Sequence, residues 1–308
     1  MALLQALGEQ AAFINAEVIP WVLRLVMVGM GLTLTLADFR RVAQFPAAAT
    51  IGLLAQIVGV PIIAYAAAVV FSPPPAIAIG LMILAACPSG VTSNAYSFAA
   101  KADVPLCVTL SAVTSVVHVF TIPFLVNWSL QTFADPGQLP PLPVLGMLRD
   151  LVGFTLVPLV LGMFVRARFT ATAKRIEEPL RKVVLYLMMA VLLLGVASSY
   201  RQIIDYAAVA GLLVIVVNLA TMSLGYGLAR SFRLPMPQVV TIVFEVGVQN
   251  LALALAITFR MLNRPDLAVT PLLYAVVMPA TALMFVSIGR KWIERDAARS
   301  PVAASRTS

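Results

Sequence analysis

The sequence predicts an all-α polytopic membrane protein with about nine transmembrane helices, and three observations predict it. Of its 308 residues, 61% are hydrophobic and 11% charged, less than half the roughly 25% charge of a soluble domain. The apolar residues form runs near the roughly 20 residues that a helix needs to cross a bilayer. Lys and Arg divide sixteen to five between alternate connecting segments, as membrane topology demands. A β-barrel would alternate polar and apolar residues, and runs such as Val183–Val196 and Ala207–Leu219 do not.

In chain order the predicted spans are Val18–Leu36, Pro46–Phe71, Ala76–Ala99, Val104–Leu130, Val144–Arg166, Lys182–Ser199, Ala207–Ala229, Gln238–Phe259 and Leu267–Gly289. Charge or proline separates them: Asp38 to Arg41, Ser72 to Pro75, and the Pro-rich stretch Asp135–Pro143. The sixteen-residue basic set includes Arg40, Lys101, Arg166, Lys174, Arg230, Arg290 and Arg299; the five are Arg24, Arg149, Arg201, Arg260 and Arg264. The basic side is cytoplasmic, so the amino terminus is expected outside and the carboxyl terminus inside a cell (plasma or inner) membrane. Residues 1–308 read as one integral membrane domain, with 290–308 a cytoplasmic tail. Met1–Glu17 lacks the basic start of a signal peptide and reads as a short external helix or the remnant of a lost span. The net charge of +8 lies in short loops on one side, so the expected surroundings are a lipid bilayer and not nucleic acid. No obligatory protein partner is evident. Cys87 and Cys107 both lie in apolar segments and read as buried thiols.

One acid stands inside a span. Glu245 lies mid-way along the eighth segment, where a charge costs at least about 2.5–3.5 kcal/mol. No Lys or Arg lies at matching depth, leaving two readings. Either Glu245 is a protonated acid bonded to a neighbour, or it is a carboxylate balanced by mobile Na⁺ or H⁺. His118, mid-span in the fourth segment, reads as hydrogen-bonding a neighbouring helix, with a proton relay as the alternative.

Two spans carry interruptions. Cys87-Pro88-Ser89-Gly90-Val91-Thr92-Ser93-Asn94 breaks the third, and Phe244-Glu245-Val246-Gly247-Val248-Gln249-Asn250 the eighth. Pro88 removes a backbone donor, and freed backbone groups at membrane depth are tolerated where they line a cavity. Each break falls in the third member of a four-span set, and the lone fifth span makes the sets enter from opposite sides. That pattern predicts inverted repeats, about 18–130 and 144–289, with paired discontinuous helices at the midplane. An enzyme is not expected, because one Glu and one His stand alone without a second acid, a nucleophile–base pair or a metal cluster.

Three stretches resemble the bile acid:sodium symporter family: Gly29 to Leu34, Cys87 to Gly90 with Ser93-Asn94, and Glu245-Val246-Gly247-Val248-Gln249-Asn250. The resemblance covers nearly the whole chain in order. It implies a panel and a core domain, two crossing discontinuous helices, and sodium-coupled symport of a small organic anion by alternating access. The coupling ion is Na⁺, and no organic cofactor is implied. By position, the first sodium site would use Ser93, Asn94, Ser111 and Glu245, with Cys107 where the family usually supplies a hydroxyl. A thiol is a poor ligand for a hard cation. The second site would use Gln56, Glu245 and Gln249 with the carbonyls of Val246 and Val248, while Val91, Thr92 and Asn250 would face the substrate. Ser89 stands where the pattern usually has a glycine. The resemblance also implies that the chain lacks the first of ten spans. A proton-coupled transporter, or a metalloid or anion exporter of related fold, is the competing reading.

Overall fold

The computed structural model describes residues 18–134, 142–198 and 200–299. Met1–Glu17, most of the Pro-rich stretch and the last nine residues lie outside the described set. Within that set the chain is nearly all helical: α1 Ile19–Thr33, α2 Pro46–Phe71, α3 Pro75–Ala85, α4 Thr92–Ala99, α5 Val104–Phe133, α6 Val144–Arg168, α7 Thr170–Ser198, α8 Tyr200–Ser231, α9 Met236–Gly247, α10 Leu251–Met261 and α11 Val269–Arg299. Six helices are long and apolar enough to cross a membrane, and α1 makes a seventh with the short helix that follows it. That helix turns away by 74°, and the Asp38 carboxylate fixes the turn by accepting from the Thr35 amide and hydroxyl, both at 2.7 Å. The two remaining predicted spans are the interrupted ones, α3–α4 and α9–α10.

Helices outrun the hydrophobic runs in three places. α7 starts at Thr170, so the basic stretch read as a loop before Lys182 is helical. Its Ala, Lys, Arg and Glu residues accept a helix readily. α8 likewise starts ahead of Ala207, at Tyr200. The stretch expected as a tail from residue 290 continues α11 as far as Arg299. Arg290 and Glu294 pair across one turn of it at 3.2 Å, which favours helix over coil.

Burial sorts the helices. Every residue from Ile77 to Ala85 in α3 and from Val239 to Gly247 in α9 is buried, so these two are central. α7 exposes its apolar face, with only 11% of its most hydrophobic stretch buried; large exposed apolar side chains suit a lipid-facing surface. α1 packs chiefly against α6 and α7. A Cβ on Gly31 would strike the Leu159 carbonyl, and one on Gly162 the Val28 carbonyl. Only a glycine pair lets α1 and α6 come this close.

Candidate ion site at two helix breaks

The two interruptions meet. The Gly90 amide donates to the Val248 carbonyl at 3.0 Å, and the Asn250 amide to the Pro88 carbonyl at 2.9 Å. Ser89 and Gln249 therefore form an isolated antiparallel bridge in the middle of the protein. Backbone groups freed by the breaks would be costly without partners at this depth, and each break supplies them to the other. The sequence places Pro88 and Gly247 at the breaks; the pairing of one break with the other needs the fold.

Glu245 lies one turn before its break and is fully buried. Ser111 Oγ, on α5, donates to its carboxylate at 3.0–3.1 Å. Ser93 Oγ, from α4, lies 3.4 Å and Cys107 Sγ 3.5 Å from Oε2. Ser97 Oγ donates to Cys107 Sγ at 3.3 Å, so the thiol is tied into the hydroxyl ring. Among the described residues no cationic side chain pairs with Glu245. Burying an unpaired carboxylate is strongly unfavourable, and three weak donors do not offset a full charge.

Gln56 and Gln249 form the second grouping. Gln56 Nε2 donates to the Cys87 carbonyl at 3.2 Å and to Gln249 Oε1 at 3.0 Å, and Gln249 Nε2 donates to the Val246 carbonyl at 2.9 Å. Gln56 sits in a π-helical turn, Ala55–Gly59, inside α2. Pro61 cannot donate back along the helix, and the widened turn precedes it. That turn was not foreseen, although Pro61 was its visible signal.

Three acceptor atoms here are buried without any hydrogen-bond partner: Gln56 Oε1, Ser89 Oγ and Asn94 Oδ1. Ser89 Oγ makes no hydrogen bond to the Glu245 carboxylate. Unpartnered oxygens from α2 and the first break, in the same region as an uncompensated carboxylate, suit a hard cation that prefers oxygen. No cluster of three His, Cys, Asp or Glu exists among the described residues, so a soft transition metal has no comparable cage.

The expected Ser93, Cys107, Ser111 and Glu245 come together, while Asn94 Oδ1 is buried without a partner and makes no hydrogen bond to Glu245. Of the second set, Gln56, Gln249 and the Val246 carbonyl are joined. The Val248 carbonyl already receives Gly90, and Glu245 makes no hydrogen bond to either glutamine. Thr92 is exposed, Val91 half-buried and Asn250 buried. Asn250 Oδ1 accepts from the Leu253 amide at 3.1 Å, capping α10; its Nδ2 is unpartnered. His118 lies buried with Nδ1 2.7 Å from the Thr114 carbonyl of its own helix, as expected of a hydrogen-bonded residue, although not to a neighbouring helix.

Residues 20–229 match the model of the sodium bile acid symporter family. The chain belongs to that family. The match takes in the first break and stops short of the second. Among similar proteins, the sodium-dependent transporter YocS of Bacillus subtilis (strain 168) is 25% identical over 280 residues, covering 90% of this chain and 84% of its own. The probable chloroplastic sodium/metabolite cotransporter BASS2 of rice is 29% identical over 258 residues, covering 82% of this chain and 59% of its own. Human sodium/bile acid cotransporter 4 is 26% identical over 272 residues, covering 86% and 61%. The chain thus spans about three-fifths of the plant and mammalian relatives. It is a multi-pass member of a membrane transporter family.

Proposed function

We propose that this protein is a sodium-coupled symporter of a small organic anion, a carboxylate or sulfonate, working by alternating access. The observation that carries this reading is Glu245: a carboxylate with no cationic side chain, buried where two helix breaks meet and flanked by unpartnered oxygens. Na⁺ would balance it, held by oxygens of Glu245, Ser93, Asn94 and Ser111 on one side and of Gln56 and Gln249 on the other. An anion would meet Asn250 and the start of α4 near Val91 and Thr92, where the positive end of the helix dipole favours negative charge. Cation and anion bind with mutual advantage, each lowering the cost of the other's burial, and the coupling is reciprocal.

Architecture and topology follow the same reading. α1, α6 and α7 would be the panel, and the helices around the breaks the core, with inverted repeats at about 18–130 and 144–289. The amino terminus would face outward, in a cell membrane. Both observed thiol environments favour sodium over a metalloid exporter. Cys87 Sγ donates to Ile83 of its own helix at 3.3 Å, and Cys107 is engaged by Ser97 and Glu245, so no thiol pair is offered. Gln56 and Gln249 do not titrate, which favours Na⁺ over a proton.

The test is uptake of labelled anions into proteoliposomes with and without an inward Na⁺ gradient, for wild type, Glu245→Ala and Gln249→Ala. Uptake that requires Na⁺ and is lost in both variants is expected. Uptake that ignores Na⁺ and follows a pH gradient would overturn sodium coupling.

A further inference from the structure

The carbonyl that closes α9 is held by two side chains from outside that helix, and a third braces one of them. Gly247, two residues after Glu245, receives Tyr274 Oη at 2.8 Å and Asn218 Nδ2 at 2.8 Å. Asn218 Nδ2 also lies 2.7 Å from Tyr274 Oη. Thr281 Oγ1 is 2.6 Å from Asn218 Oδ1, which fixes the amide so that its nitrogen faces Gly247. Asn218 and Tyr274 are buried. Asn218 comes from α8, and Tyr274 and Thr281 from α11. The last carbonyls of a helix have no partner within it, and here α8 and α11 supply one without touching the carboxylate. At the other break the equivalent end is held more loosely: the Cys87 carbonyl receives only Gln56, at 3.2 Å.

We propose that Asn218, Tyr274 and Thr281 form a latch on the Gly247 carbonyl that sets the position of Glu245 for the coupling ion. They are positioning residues, and the proposal rests on the sodium reading above. Without the Tyr274 hydroxyl, the end of α9 keeps one donor and gains freedom. The hydroxyls of Ser93 and Ser111 then meet a less fixed carboxylate, so ion affinity falls while the anion pocket keeps its side chains.

The experiment measures thermal unfolding of detergent-purified protein against NaCl concentration, with choline chloride holding ionic strength, alongside Na⁺-dependent uptake in proteoliposomes. For Tyr274→Phe, the Na⁺ concentration for half-maximal stabilisation and for half-maximal uptake should rise about tenfold, the worth of one buried hydrogen bond. Unfolding without Na⁺ should move little, and the anion KM at saturating Na⁺ should change less than about twofold. Thr281→Val, which loosens only the outer bond, should raise the Na⁺ requirement about two- to threefold, and it decides the matter should Tyr274→Phe not fold. Tyr65→Phe, on a tyrosine stacked against Trp128, should leave it unchanged. Wild-type Na⁺ dependence in both latch variants, or an equal shift in Tyr65→Phe, overturns the latch. A wild type neither stabilised nor driven by Na⁺ overturns the sodium reading itself and the latch with it.

Discussion

The two ends of the Glu245 region are built in opposite ways. On the α8 and α11 side, the Gly247 carbonyl and every polar atom of Asn218 and Tyr274 find protein partners. On the α2 and α4 side, Gln56, Ser89 and Asn94 each keep a buried oxygen with nothing to accept. A buried oxygen without a donor costs about 1–3 kcal/mol, so three together are a poor way to build a static core. They make sense as places for an ion that comes and goes. The closed side gives a fixed frame, and the open side gives the frame something to hold.

Three substitutions test that contrast, beginning with the largest effect. Glu245→Gln keeps the shape and removes the charge. Na⁺-dependent uptake should fall by at least about a hundredfold, the Na⁺-induced rise in unfolding temperature should vanish, and the Na⁺-free protein should unfold at a higher temperature than wild type, because an uncompensated buried charge is gone. A lower Na⁺-free unfolding temperature would mean that the carboxylate is stabilised by protein donors alone. Next, Ser89→Ala removes an orphaned oxygen. Thermal melts should show a stabilised Na⁺-free protein with a weaker Na⁺ response, by about three- to tenfold in half-saturating Na⁺; stabilisation with an unchanged Na⁺ response would exclude Ser89 from the ion's surroundings. The smallest change is Cys107→Ser, which replaces a soft donor beside Glu245 with a hard one. Half-saturating Na⁺ should drop about two- to fivefold in uptake assays, and a rise would show that the thiol's bond from Ser97 matters more than its softness.

Much of this site was legible in the chain because the signals are local. Pro88 cannot donate, Gly90 and Gly247 loosen a helix wherever they stand, and Glu245 is an acid without a base at its depth. Span positions followed from hydropathy alone. The ends of α7, α8 and α11 did not, since a helix continues past the apolar run when the next residues also favour it. Asn218, Tyr274 and Thr281 went unremarked for a different reason. Isolated polar residues in two apolar segments carry no mark of which atoms they will meet, and 56 residues separate Asn218 from Tyr274.

By itself, then, the sequence determined that this protein crosses a membrane many times, where its helices break, and that one acid lies within a span with no base at its depth. These depend on the transfer cost of side chains and on backbone donors, both properties of short stretches. Only the tertiary structure decided that the breaks satisfy each other through Ser89 and Gln249, that Ser93, Cys107 and Ser111 are the groups around Glu245, and that two side chains hold one carbonyl end while a single glutamine holds its counterpart. Those outcomes depend on distances between residues far apart in the chain, which packing sets and no local pattern records.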